Sequence, residues 1–364
     1  MNKETISAHQ TGVLAGILLF TLKMTSLPSI LYKYNGTGAL ISVVVVITLN
    51  VLFLWLVVWV KQKYSNISMY DLLKAKLGTF ITKFLYILFF SFFFLKLLLM
   101  ICDSYSFLKD VADEEITLIT VLICFLPIIA TLAYSGIRNI GRTSEFFLPF
   151  IILSLVTAIA FSIVPITSFD FGSLTKDGFG GFFNSIFRPS FWTGDLFAIL
   201  IFLDKIDLKK GKIKNMFFPL ITMAVVFVGL YILYYILYQE TSIFHVNIIN
   251  DVVQYAIGTS KGWHMDFFAI VVFMINIYLQ GAILLYCANE CLKKTINFDC
   301  NGITLSAIII ALVATDFLYL TDYLSYIAFA ENVLCYFSAI TILLVPLLLI
   351  IIVLTKKRKS DERT

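Results

Sequence analysis

Ten predominantly apolar stretches, at residues 10–31, 38–60, 80–107, 117–135, 144–166, 188–204, 216–238, 265–290, 302–321 and 330–355, follow one another along this chain with short polar connectors between them. A bilayer core of about 30 Å needs roughly 20 apolar residues of helix per crossing, and each stretch is close to that length. The third and eighth are long enough to tilt or project. Lipid offers no partner to backbone N–H and C=O groups, so such spans must be helices. The expected fold is an all-α polytopic membrane protein with ten transmembrane helices, forming one integral membrane domain over residues 1–364.

Charge placement tests that count. Only 14% of residues are charged, against 60% hydrophobic, and mean hydropathy is +0.94. With the N-terminus inside, 19 of the 27 Lys and Arg residues fall in inner segments, five in outer ones, counting Arg188 at the outer edge of the sixth stretch, and Lys23, Lys83 and Lys96 within spans. This is the bias expected when basic loops stay in the cytoplasm. It places both termini there and explains the net charge of +4 without a nucleic-acid partner; the surroundings are the lipid bilayer of a cell membrane, crossed many times. The leading MNKETISAHQ has no small-residue cleavage site, so the first helix is expected to remain as an anchor. NISMYDLLKAKLG after the second span reads as a short amphipathic helix on the inner surface, and HVNIINDVVQYAIG as a partly helical outer loop.

Six cysteines, Cys102, Cys124, Cys287, Cys291, Cys300 and Cys335, lie mostly within apolar runs with no CxxC pair, and read as packing residues. No metal site or cofactor is expected from them.

Two spans break their own pattern. The first contains KMTSLP, Lys23 to Pro28, and the sixth RPSFWTGD, Arg188 to Asp195. Pro28 and Pro189 cannot donate a backbone hydrogen bond, and Gly194 relaxes the helix, so polar backbone is released where lipid could not satisfy it. Ten spans divide into five plus five, and because five is odd a second copy of the fold runs in the opposite direction. That is an inverted repeat, about 10–166 and 188–355, with broken helices 1 and 6. In transporters so built, ligands bind near the midplane at the paired breaks. Ser26 and Thr193 are placed to cap the half-helices that follow, whose N-termini suit a carboxylate. The plain alternative is a pair of proline kinks without a ligand.

Candidate ligand-binding residues are Lys23, Met24, Thr25 and Ser26 from the first break, and Trp192, Thr193, Gly194 and Asp195 from the second. Asn276 and Gln280 join them, four apart in span eight, unless they serve helix-to-helix hydrogen bonding. A lysine at mid-helix costs roughly 2.5–3.5 kcal/mol and normally faces the bundle interior with a partner. Asp195 is the acidic candidate, and removing one member of such a pair is expected to hurt more than removing both. Lys96 and Asp103, seven apart, either share an interior face or snorkel toward the outer surface. Arg142 and Glu145 share one face at the inner start of span five, as gate residues or as interfacial anchors, with Thr143 or Ser144 as the helix cap. Glu290 and Asp316 read as anchors near span ends.

These residues resemble a family. ISAHQ (Ile6 to Gln10), the proline-interrupted first helix, GRTSEFFLPF (Gly141 to Phe150) and IFRPSFWTGD (Ile186 to Asp195) together resemble the endospore germination permeases, the permease-like B subunits of nutrient germinant receptors within the amino acid/polyamine/organocation transporter superfamily. The resemblance implies a ten-helix leucine-transporter-like fold and recognition of a small nutrient, such as an amino acid, at the midplane. It also implies assembly with receptor A and C subunits in the spore inner membrane. It departs where Leu22-Lys23-Met24 replaces the small, glycine-containing stretch common in members.

The expected function is therefore that of a nutrient-binding receptor subunit. A secondary amino acid transporter of the same fold is the alternative. A membrane-embedded transferase is remote: the chain has no metal-diphosphate carboxylate motif and no P-loop, and His9, His245 and His264 lie near span ends or loops.

Overall fold

The computed structural model describes residues 5–64, 67–111, 115–161, 178–208, 213–245, 247–248, 251–252, 266–319 and 323–361. Among them the chain is almost wholly helical. His264, residues 162–166 of the expected fifth span and most of the 245–258 connector lie outside the described residues.

Helix α1 (Ala8–Phe20) ends in a four-residue 3-10 turn, Thr21–Met24, and α2 (Leu27–Asn35) resumes the path with Pro28 in its first turn. Proline suits that place because the N–H it lacks would have no helical partner there. Gly36, at φ +54°, turns the chain into α3 (Ala39–Lys63). The expected surface helix forms as α4 (Met69–Leu77), capped by Ser68 Oγ, which accepts from the Asp71 N–H at 3.1 Å, and closed by Gly78 at φ +83°. Then follow α5 (Thr79–Val111), α6 (Leu118–Tyr134) and α7 (Ile137–Phe161).

The second half opens with α8 (Gly178–Phe187) and α9 (Ser190–Thr193), reaches a second four-residue 3-10 turn at Gly194–Phe197, and continues in α10 (Ala198–Ile201). Helices α11 (Ile213–Tyr238), α12 (Asp266–Ile296) and α13 (Asn301–Tyr319) follow. Last come α14 (Tyr323–Phe329), a wide π-type turn at Ala330–Leu334, and α15 (Cys335–Asp361).

Among the described residues, six continuous helical stretches are long and apolar enough to cross a membrane alone: Leu27–Lys63, Thr79–Asp110, Ile137–Ala160, Ile213–Ile243, Val271–Ile296 and Ser325–Leu354. Four shorter apolar helices accompany them, Ala8–Phe20, Leu118–Tyr134, Ser190–Ile201 and Asn301–Asp316. At 33 and 31 residues, α5 and α12 are about 50 and 46 Å long, the two longest among the described helices.

Two boundaries differ from the sequence expectation. Span five starts at Ile137, because Ile137, Ile140, Gly141, Ser144 and Leu148 are buried at helical spacing and carry an amphipathic helix back through the polar stretch where hydropathy falls. Thr143 and Ser144 therefore lie inside the helix and do not cap it. Thr143 Oγ1 donates to the Asn139 carbonyl at 3.0 Å, and Ser144 is fully buried. Ahead of span six, the glycine-rich segment 178–187 is helical and packs on α2 and α3.

The first helix is fixed by close packing. Gly12 and Gly16 of α1 lie against α11; a Cβ at Gly12 would fall 2.0 Å from the Met216 carbonyl oxygen, and one at Gly16 3.0 Å from Met223 Cγ. Small residues four apart let two backbones approach where apolar side chains would hold them off. Ile6–Ser7 (β1) pairs in parallel with Ile206–Asp207 (β2), tying the start of the chain to the segment that follows the second break.

Candidate ligand site at the two helix breaks

The two 3-10 turns meet at Asp195. Lys23 Nζ lies 3.3 Å from Asp195 Oδ2 and donates to the Leu18 carbonyl at 2.8 Å, an oxygen near the end of α1. Lys96 of α5 approaches the other carboxylate oxygen, Oδ1, at 2.5 Å. All three side chains are fully buried. Lys96 also lies over the rings of Phe92 and Phe191, at 5.5 and 5.0 Å from their centroids, where a cation is attracted to the π face. One carboxylate thus holds two ammonium groups, each with further electron-rich partners. Thr25 Oγ1 donates to Asp103 Oδ2 at 2.9 Å, bringing a second buried carboxylate of α5 to the first break.

Backbone released by the first break finds partners on α11. Tyr231 donates its hydroxyl to the Lys23 carbonyl at 2.7 Å, and Tyr235 to the Pro28 carbonyl at 2.9 Å. Four residues apart, these tyrosines occupy one helix face. They hold the first break, sequence reasoning did not single them out, and their spacing in LYILYYILY was the available signal.

The expected caps do not form. Ser26 stands at the N-cap of α2, but its hydroxyl makes no cap bond and is buried without a partner among the described residues. Its αR backbone differs from the extended form that aims a cap side chain at the following N–H groups. Thr193 Oγ1 donates backward to the Ser190 carbonyl at 3.2 Å instead of accepting forward. The chain winds on from α9 into the second 3-10 turn, so the carbonyl behind Thr193 is the nearer partner.

Of the other candidates, Met24 and Trp192 are buried. The Trp192 indole N–H has no acceptor among the described residues. Gly194 admits the facing helix: a Cβ there would sit 2.5 Å from Ile342 Cδ1 and 3.3 Å from Phe92 Cζ. Asn276 Nδ2 donates to the Val272 carbonyl at 2.9 Å, while its oxygen and both amide atoms of Gln280 are buried and unpartnered among the described residues. Helix α12, which carries them, packs against the first break. Buried polar groups without partners are uncommon and costly, and their concentration on the breaks and the helix beside them is what a polar occupant would satisfy.

Two networks flank this region. Glu145 is held by the N-terminal segment: His9 Nδ1 is 2.8 Å from its Oε1, and Gln10 Nε2 donates to its Oε2 at 3.1 Å. The stretches ISAHQ and GRTSE therefore touch. Arg142 is exposed and forms no ion pair with Glu145. On the other side, Glu331 in the wide turn accepts from Lys33 Nζ at 2.8 Å and Tyr34 Oη at 3.1 Å, while Arg188 donates to the Glu331 carbonyl and to Asn332 Oδ1. The far end of α2, the approach to the second break and the wide turn are so joined. Glu290 pairs with Lys293 one turn on. Asp316, expected as an anchor, is fully buried, with neither oxygen partnered among the described residues; helix packing encloses the position that hydropathy placed near a span end.

Solved transporters share the fold. A Na+-coupled sialic acid symporter in a substrate-bound outward-open state superposes with a TM-score of 0.61 at 13% identity, over 93% of this chain and 79% of that one. A manganese transporter from Eremococcus coleocola does so with a TM-score of 0.55 at 15% identity, over 94% and 78%. The architecture is thus leucine-transporter-like. No curated protein sequence matches the chain. Residues 5–322, which include both breaks, the Lys23, Lys96 and Asp195 cluster and the two motifs that meet at Glu145, match the spore permease family of spore germination proteins, and the chain belongs to that family.

Proposed function

We propose that this chain is the permease-like B subunit of a spore nutrient germinant receptor. It binds a small nutrient, an amino acid for preference, between the two helix breaks, and passes the signal to A and C subunits in the spore inner membrane. The observation that carries the reading is the buried Lys23–Asp195 contact across the breaks, beside the unpartnered polar atoms of Ser26, Trp192, Asn276 and Gln280. Family membership supplies the link to germination. Permeases and transporters as relatives in family and fold favour a binding subunit over an enzyme.

The topology we propose joins the pieces on either side of each break into one crossing. That makes ten crossings in a single membrane domain, two inverted repeats at about 10–166 and 188–355, and both termini in the cytoplasm. Cysteines placed at Lys63 and Asp251 are expected to label from the cytoplasmic and the outer side respectively; the reverse result would overturn the arrangement.

A strain lacking the chain is expected to lose germination with one nutrient while keeping its response to unrelated triggers, and the tagged chain to copurify with receptor partners from spores. The transporter alternative draws on the two solved relatives. It predicts instead a vegetative uptake defect with normal germination, and that outcome would displace the receptor reading.

A further inference from the structure

The Lys23 ammonium sits where an alkali cation would be held. Its oxygen partners are a main-chain carbonyl, that of Leu18 at 2.8 Å, and a carboxylate oxygen from the second break, Asp195 Oδ2 at 3.3 Å. Carbonyl and carboxylate oxygens are the ligands that hard cations select, and the C-terminal ends of broken half-helices, such as the end of α1 that carries Leu18, supply carbonyls in cation-coupled transporters. The second oxygen of Asp195 is already taken by Lys96, and the other acidic group at the first break, Asp103, accepts from Thr25. A dissolved cation entering here would be a third positive charge around one carboxylate, at full burial.

We infer that the two breaks enclose a monovalent-cation site that the chain fills with its own Lys23 ammonium, so that the closed arrangement of the breaks needs no dissolved alkali cation. The cation is tethered by four methylenes to the first break and cannot be exchanged or depleted. The two breaks are thereby held together by a bond internal to the chain, whatever the sodium or potassium content of the medium. This rests on the breaks being the functional site, but its test needs no nutrient, so it stands or falls separately from the receptor reading.

The test is the thermal unfolding midpoint of the purified full chain in detergent, with sodium, lithium or potassium chloride compared against N-methylglucamine chloride at one ionic strength. The native chain and Lys23→Arg are expected to show the same midpoint in all four. Lys23→Ala vacates the position while leaving Leu18 O and Asp195 Oδ2, and its midpoint is expected to rise saturably with one or more alkali cations, as binding to the folded state alone requires. Should Lys23→Ala not survive extraction, Lys23→Thr fills more of the space, offers a hydroxyl ligand and carries the same expectation. A saturable, cation-specific rise in the native chain overturns the inference. So does a flat response in the variants that vacate the position.

Discussion

Replacing Asp195 by asparagine is expected to be the most damaging single change in this protein, while Lys23→Met is expected to be mild. The geometry sets the order. Asp195→Asn leaves two buried ammonium groups facing a neutral amide, because Lys23 and Lys96 both rely on that carboxylate. Removing one partner of a buried ion pair costs about 3–5 kcal/mol, since the other charge remains uncompensated. Lys23→Met leaves Lys96 and Asp195 as a balanced pair at 2.5 Å. The double change Lys23→Met with Asp195→Asn strands Lys96 and falls between the two; adding Lys96→Met removes the last unpaired charge and restores folded yield. The ladder is measured as folded membrane-extracted protein and its unfolding midpoint. A double variant as stable as the native chain would show that Lys96 does not share the carboxylate. At matched protein level, Lys23→Met is expected to shift the midpoint or preference of the nutrient response, which separates a site role from a purely structural one.

That ladder differs from the simple two-residue expectation for a physical reason, and Lys96 shows where sequence stopped being informative. A charge in a span needs a partner, and the two breaks were recognisable from proline, glycine and hydroxyl residues in apolar runs, so Lys23 and Asp195 could be matched by topology alone. Lys96 was visible too, but a span ending at residue 107 left snorkelling toward the outer surface open. In the structure its side chain is fully buried and turns inward onto the carboxylate of Asp195 at 2.5 Å, away from any surface. Which neighbour a helix face meets is set by packing between segments, and hydropathy does not report it.

The same limit explains the other differences. The polar stretch IRNIGRTSE has low hydropathy, yet its buried face continues α7, so Thr143 and Ser144 became interior residues. The contact of Gln10 with Glu145 joins residues 135 apart, and no local pattern encodes it. Tyr231 and Tyr235 were lost among 18 tyrosines, because a hydroxyl's target lies on another segment. What transfer physics dictates, apolar length and broken backbone, was legible. What depends on which helix faces which was not.

Asp316 gives the second large effect, with the opposite sign. Asp316→Leu is expected to raise the unfolding midpoint, by a stabilisation of about 1–3 kcal/mol. The carboxyl is fully buried at the end of an apolar helix, and among the described residues nothing donates to either oxygen. Val313, three residues earlier, and Ile309 pack on the apolar cluster of Ile101, Leu122 and Leu126. A leucine, with the same branched outline though bulkier methyls in place of the oxygens, would extend that apolar surface and remove two unpartnered acceptors. Asp316→Asn keeps an unpartnered polar head and is expected to change stability little, so the two variants separate polarity from shape. Proteins keep such costly groups where function uses them, and stabilising replacements there commonly reduce activity. Asp316→Leu is therefore expected to yield a more stable protein with a weaker nutrient response, read as the germination midpoint at matched abundance. A lowered unfolding midpoint for Asp316→Leu would mean that the carboxyl is held by favourable contacts, and would remove the argument.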